Sequence, residues 1–227
     1  MNEAGFGPEA WAPLSRAWLA YFRGDTRATL NVHADDGAFE PMPVSVFFRG
    51  EGELRGPDRD AIRLARGKTL DVGAGVGAIS LLLQEKGLPV TALEVVPEGV
   101  EIMRARGVED PREIRLEGLP FGELYDTILL LMNGTALAGT LSGLPDLLHS
   151  LGRLLAPGGQ VLMDSTDLAG EGEFQYQLEF QGEKGAPFPQ LFLEPETLGR
   201  VAAELGWRME VVWKGKDGEY LARLSRL

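Results

Sequence analysis

The chain has 227 residues and no cysteine; 44% of its residues are hydrophobic and 25% charged, and 22 basic residues face 34 acidic ones for a net charge of −12. This length can bury one substantial core without covalent staples, and the absence of cysteine excludes disulfides, thiolate catalysis and cysteine-ligated metal. No apolar run approaches the roughly 20 residues of a membrane-spanning helix, and the negative balance disfavours nucleic acid, whose phosphates it repels.

The opening residues, "MNEAGFGPEAWAPL", show neither a basic start nor an apolar signal core, so a cytoplasmic location with no membrane contact is expected. From Glu9 to Arg23, Trp11, Leu14, Trp18, Leu19 and Phe22 recur at helical spacing and predict an amphipathic first helix. "ATLNVHADDGAFEPMPVSVFFRG" then offers two strand-like runs around Asp36-Gly37, a loose hairpin. His33 in this hairpin has only scattered acids near it in sequence, so no metal site is expected. Phe47-Phe48-Arg49 reads as a buried strand ending in a surface arginine, which makes Arg49 a candidate anion contact for a substrate. Pro57 opens a helix over 58–66 that Gly67 ends.

Strands are predicted near 69–72, 90–95, 113–117, 126–132 and 160–165, with helices near 77–86, 97–106 and 141–155 between most of them. Alternation on this scale argues for an α/β fold with a parallel sheet covered on both faces. His149 falls within the last of these helices and reads as a surface or packing residue. After Asp167, "EFQYQLEFQGEKGAPFPQLFLEP" alternates aromatic and polar residues and turns at Gly182 to Gly185, predicting an antiparallel arm over 174–193. A helix over 195–205 follows, then two strands joined through Asp217-Gly218, a strong hairpin signal.

The stretch most informative about chemistry is "LDVGAGVGAISLLLQEKG", residues 70–87. Gly73, Gly75 and Ala78 satisfy the dinucleotide fingerprint, and Glu94 lies 21 residues beyond Gly73, where an acid can bind ribose hydroxyls. On this evidence a nicotinamide-dependent oxidoreductase is allowed. Asp71 shifts the balance. Two positions before the first glycine, its carboxylate would repel a pyrophosphate and attract a cationic ligand.

"LDVGAGVG" resembles the first motif of class I S-adenosylmethionine-dependent methyltransferases, "VTALEVVPEGVEIMRARG" resembles the segment with the acid after their second strand, and "LLAPGGQVLMD" resembles the entry to their fifth. The resemblance covers roughly residues 58–227. It implies a Rossmann-like, mostly parallel seven-stranded sheet with an antiparallel last strand, helices on both faces, and S-adenosyl-L-methionine as cofactor at the strands' carboxyl ends. Carried over by residue, it implies that Asp71 and the loop of Gly73, Ala74, Gly75 and Gly77 hold the methionine end. Glu94 and Val95 would meet the ribose, and Glu117, Gly118 and Leu119 the adenine. Met132 and Asn133 would face the methyl-donor centre, Asn133 also touching substrate. No catalytic residue carries over.

The expected organisation is an N-terminal helix and hairpin over 1–56 serving as a cap, and a cofactor-binding domain over 57–227 with the arm 174–193 inserted. A small-molecule acceptor is favoured over protein or nucleic acid. The arm's alternating aromatic strands also suit a contact between two copies, so a homodimer stands beside the lid reading. A noncatalytic S-adenosylmethionine-binding protein would carry the same motifs.

Overall fold

The computed structural model describes residues 7–169 and 172–227. Residues 1–6, on which the expectation of no export signal partly rests, lie outside the described residues. Helix α1 (Pro8–Phe22) and strands β1 (Thr29–Ala34) and β2 (Phe39–Pro43) precede α2 (Gly56–Leu64). The alternating core then runs through β3 (Thr69–Val72), α3 (Ala78–Glu85), β4 (Val90–Glu94), α4 (Pro97–Arg106), β5 (Asp110–Glu113), β6 (Tyr125–Leu130), α5 (Leu144–Leu154) and β7 (Leu155–Thr166). Strands β8 (Gly172–Phe180), β9 (Glu183–Lys184) and β10 (Phe188–Phe192) form the arm, and α6 (Pro195–Glu204), β11 (Trp207–Lys214) and β12 (Glu219–Arg226) end the chain.

The core strands form a seven-stranded sheet in the order β11-β12-β7-β6-β3-β4-β5. Only β12 is reversed, antiparallel to both its neighbours, as the sequence predicted for the last strand. The central strands are buried along their lengths, β3 and β4 at every residue, which is why they read as continuous rather than alternating apolar runs. Helix α5 shows the complementary pattern, burying Leu144, Leu147, Leu148, Leu151 and Leu154 on one stripe. Each such leucine contributes roughly 1.5–3 kcal/mol on burial. Among the described residues, no helix is long and apolar enough to cross a membrane.

The N-terminal hairpin and the arm, which local signals present as separate features, pair with each other. Strand β1 lies against β8, Val32 opposite Leu178, and the resulting antiparallel sheet runs β10-β8-β1-β2 with β9 on the edge of β8. The arm also turns earlier than its glycines suggest. Phe180 pairs with Glu183, leaving Gln181 (φ 53°) and Gly182 (φ 83°) as a two-residue turn of left-handed residues, the geometry that matches the twist of a hairpin.

Several local expectations are corrected. The third parallel strand is Asp110–Glu113 rather than 113–117: it is an edge strand whose polar sequence and proline give no apolar signal, while Ile114 and Leu116 belong to the bend that follows. Strand β6 stops at Leu130, two residues early, because Met132 and Asn133 take left-handed conformations at φ 66° and 64°. Helix α2 stops at Leu64, Ala65 being extended. Residues 44–47 form a 3-10 turn instead of a strand, and Arg49, expected at the surface, is only 6% exposed.

Candidate active site

The carboxyl ends of β3, β4 and β6 and the inner face of the small sheet enclose a cavity of about 610 Å³. Its size lies within the range of small-molecule and cofactor sites. Its floor is the loop after β3. Gly73, Gly75 and Gly77 all have positive φ, and two of them show what a side chain would disturb. At Gly77 a Cβ would meet Val108 at 2.7 Å and Met103 at 2.9 Å, so glycine lets the loop close onto α4. At Gly73 nothing lies within 4 Å: there the glycine serves the backbone conformation and leaves open space above it. Ala74 and Gly75 complete this floor.

Asp71 is 3% exposed at the end of β3, and Ser80 of α3 donates to its Oδ2 at 2.6 Å. Burial lifts its carboxyl to about 6, although the Ser80 bond and the charge of Arg49 pull the other way. Glu94 ends β4. Its Oε2 accepts from the backbone N–H of Gly75 at 2.9 Å, and its Oε1 from those of Val95 at 2.7 Å and Val96 at 2.9 Å. The carboxylate thus ties the glycine loop to the neighbouring strand. Burial raises its pKa, and the three backbone donors act against that rise. Oε2, which accepts one of these three bonds, retains capacity for a further donor.

Above Asp71 lies Arg49, which sequence reasoning had placed as an exposed anion contact. Its Nε donates to Asp58 Oδ2 at 2.9 Å and its Nη1 to the Val46 carbonyl at 2.6 Å, with Met132 Sδ 3.4 Å away. Asp58, fully buried on α2, also accepts from Arg55, and the same guanidinium stands 3.6 Å from Asp164. Asp164 in turn accepts from the Gly134 N–H at 2.8 Å. A chain of charges therefore runs from the wall beside Asp71 to the turn after β6. Apart from the i,i+3 spacing of Arg55 and Asp58, no spacing rule connects these residues, so the sequence does not announce the network.

The turn itself is pinned at Asn133. Its Nδ2 donates to the Leu191 carbonyl at 3.1 Å, and its Oδ1 accepts from Thr135 and Ser165. Two consecutive non-glycine residues with positive φ are costly and persist here because the surrounding bonds over-determine them. Met132 and Asn133 both line the cavity, as do Val95 and Glu117. Gly118 and Leu119 do not. Gly118 packs on Ile114, and Leu119 is buried in the main core, so the wall on that side is made by residues 114–117 instead. These two candidates therefore lie outside the cavity wall. Neither histidine lines the cavity: His33 Nε2 lies 2.9 Å from Glu179 Oε2, and His149 is exposed on α5.

Residues 55–211, well over half of the chain, match a family model described as a methyltransferase domain. A crystal structure of an S-adenosylmethionine-dependent methyltransferase from Bacteroides fragilis, in complex with S-adenosyl-L-homocysteine, is 34% identical, superposes with a TM-score of 0.89 and covers 97% of each chain. The CcbJ methyltransferase of Streptomyces caelestis shares the fold at 15% identity and a TM-score of 0.62, over 77% of this chain and 97% of its own. Among curated proteins, a ubiquinone biosynthesis O-methyltransferase from Xylella fastidiosa is 27% identical over 107 residues, 46% of this chain. The match spans 44% of that relative's length.

Proposed function

This chain belongs to the class I S-adenosylmethionine-dependent methyltransferase family, and from that premise we propose that it methylates a small-molecule acceptor held between the glycine-loop floor and the small sheet. The observation that carries the reading is the single cavity shared by both: its lower wall is polar and charged, and its upper wall is formed by α1 and strands β1, β8 and β10. In this reading α1, the hairpin and the arm together form a cap over the domain from residue 57.

The residues of the lower wall suit S-adenosylmethionine. Asp71 would face its ammonium group, and Arg49, whose Nη2 makes no hydrogen bond among the described residues, would take its carboxylate. Glu94 would accept from a ribose hydroxyl while still holding Gly75, and residues 114–117 would border the adenine. Arg49 thereby passes from substrate contact to cofactor contact. The cofactor supplies a methyl group activated by a sulfonium centre. The protein's part is to align the acceptor, to exclude water beneath the cap, and to hold Met132 and Asn133 rigidly at the end of β6.

Incubating the protein with methyl-labelled S-adenosylmethionine and a fractionated cell extract tests this directly. Label is expected in low-molecular-weight compounds. Label confined to the protein or nucleic-acid fraction would overturn the choice of acceptor class.

A further inference from the structure

We propose that the acceptor is an uncharged, ring-bearing small molecule and that Gln190 recognises a hydrogen-bonding group on it; the proposal rests on the methyltransferase reading of the cavity. Strand pairing determines which side chains of the small sheet face inward. Tyr176 lies opposite Phe188, Phe174 opposite Gln190, and Val32 opposite Leu178, so these side chains share one face. Of them Val32, Tyr176, Leu178, Phe188 and Gln190 line the cavity, and Trp11 of α1 packs on Phe188 with ring centroids 4.7 Å apart. The surface they make is flat, aromatic and aliphatic, and it suits a ring.

Charge is distributed unequally between the two halves. Among the described residues, the charged side chains in the cavity wall are Arg49, Asp71, Glu94, Arg115 and Glu117, and none of them comes from the small sheet. A charged acceptor entering beneath that sheet would lose water without meeting a counter-charge, a cost that a neutral one avoids. The polar groups on that face are the Tyr176 hydroxyl and the Gln190 amide. The Gln190 amide makes no hydrogen bond among the described residues, unlike that of Asn133 nearby, whose Nδ2 and Oδ1 both have partners. Its position is well defined. The carbonyl of the next residue, Leu191, accepts from Asn133 Nδ2 at 3.1 Å and lies 3.0 Å from Thr135 Oγ1, which holds Gln190 beside the turn where the two halves of the cavity meet. An amide there can donate to or accept from a hydroxyl or amine on the acceptor.

The test uses the full chain loaded with S-adenosylhomocysteine and three probes of nearly equal shape at pH 7: 4-propylphenol, which is neutral, 4-propylbenzoate, an anion, and 4-propylbenzylamine, a cation. Calorimetry is expected to show the phenol binding at least about tenfold more tightly than either ion. Gln190→Leu should weaken the phenol by about fivefold while leaving S-adenosylhomocysteine affinity unchanged, as expected for one neutral hydrogen bond. Either ion binding as tightly as the phenol, or no probe binding to the loaded protein, would overturn the proposal. So would an unchanged phenol affinity in Gln190→Leu, which would leave that amide a solvated rim residue. If S-adenosylhomocysteine itself fails to bind, it is the underlying methyltransferase reading that fails.

Discussion

Asp58→Ala is expected to lower the melting temperature by about 10 °C. Arg49 is 6% exposed and Asp58 0%, so each charge has exchanged water for the other. Removing one partner of a buried pair leaves the second uncompensated, at a cost of about 3–5 kcal/mol. For a domain of this size each kcal/mol moves Tm by roughly 2–4 °C, and the whole folding free energy is on the order of 5–15 kcal/mol. The loss extends beyond the pair, because Asp58 also accepts from Arg55, which reaches toward Asp164 and so toward the Met132–Asn133 turn. Thermal unfolding followed by circular dichroism checks it. A shift of only a degree or two would mean that Arg49 is held by its bond to the Val46 carbonyl and that the ion pair contributes little.

Glu94→Ala should reduce cofactor affinity about tenfold or more. A ribose hydroxyl donating to a carboxylate is worth roughly 1.5 to 3 kcal/mol. The structure adds a consequence that the sequence alone did not suggest. Three backbone N–H groups, of Gly75, Val95 and Val96, lose their acceptor in this variant. Some loss of thermal stability should therefore accompany the loss of affinity. Titration with S-adenosylhomocysteine at a temperature where the variant is fully folded separates the two effects; unchanged affinity there would remove Glu94 from the site.

The parts of this architecture legible in the sequence are those whose signals are local. Helix α4 begins at Pro97 and is followed by Gly107 at φ 95°, and its predicted span of 97–106 coincides with the observed one. Strand β3 was equally plain, since four buried residues followed by a glycine loop leave little choice. The strand at Asp110–Glu113 was missed because an edge position relaxes the demand for apolar residues. Gly118 and Leu119, named as candidates just after it, lie outside the cavity wall. The small sheet could be read only as two pieces, because β1 and β8 meet across some 140 residues of intervening chain and no periodicity encodes which strands pair. Asp71, Glu94, Met132 and Asn133, which all line the cavity, are candidates from a motif and from the rule that ligands gather at strand carboxyl ends. The partners of Arg49 are not, since a buried ion pair between an irregular turn and a helix leaves no pattern.

The central claim is that the glycine loop, with Asp71 beside it, is a site for a cationic cofactor. Burial raises the Asp71 carboxyl to about 6. In the ligand-free protein, the stability linked to this raised pKa is present below about pH 4 and lost as pH rises through 6, as the buried group is forced to ionise with the Ser80 bond and the more distant charge of Arg49 but without a cationic partner in contact. A bound ammonium group supplies that partner, so binding favours the ionised form. Calorimetric titration with S-adenosylmethionine at pH 5 and pH 7, beside a nicotinamide dinucleotide, measures the consequence. The account predicts binding of S-adenosylmethionine that is about tenfold weaker at pH 5, where about nine-tenths of Asp71 is protonated, and no comparable binding of the dinucleotide. Tighter binding of the dinucleotide, or an S-adenosylmethionine affinity that is flat or rises toward acid, would contradict it.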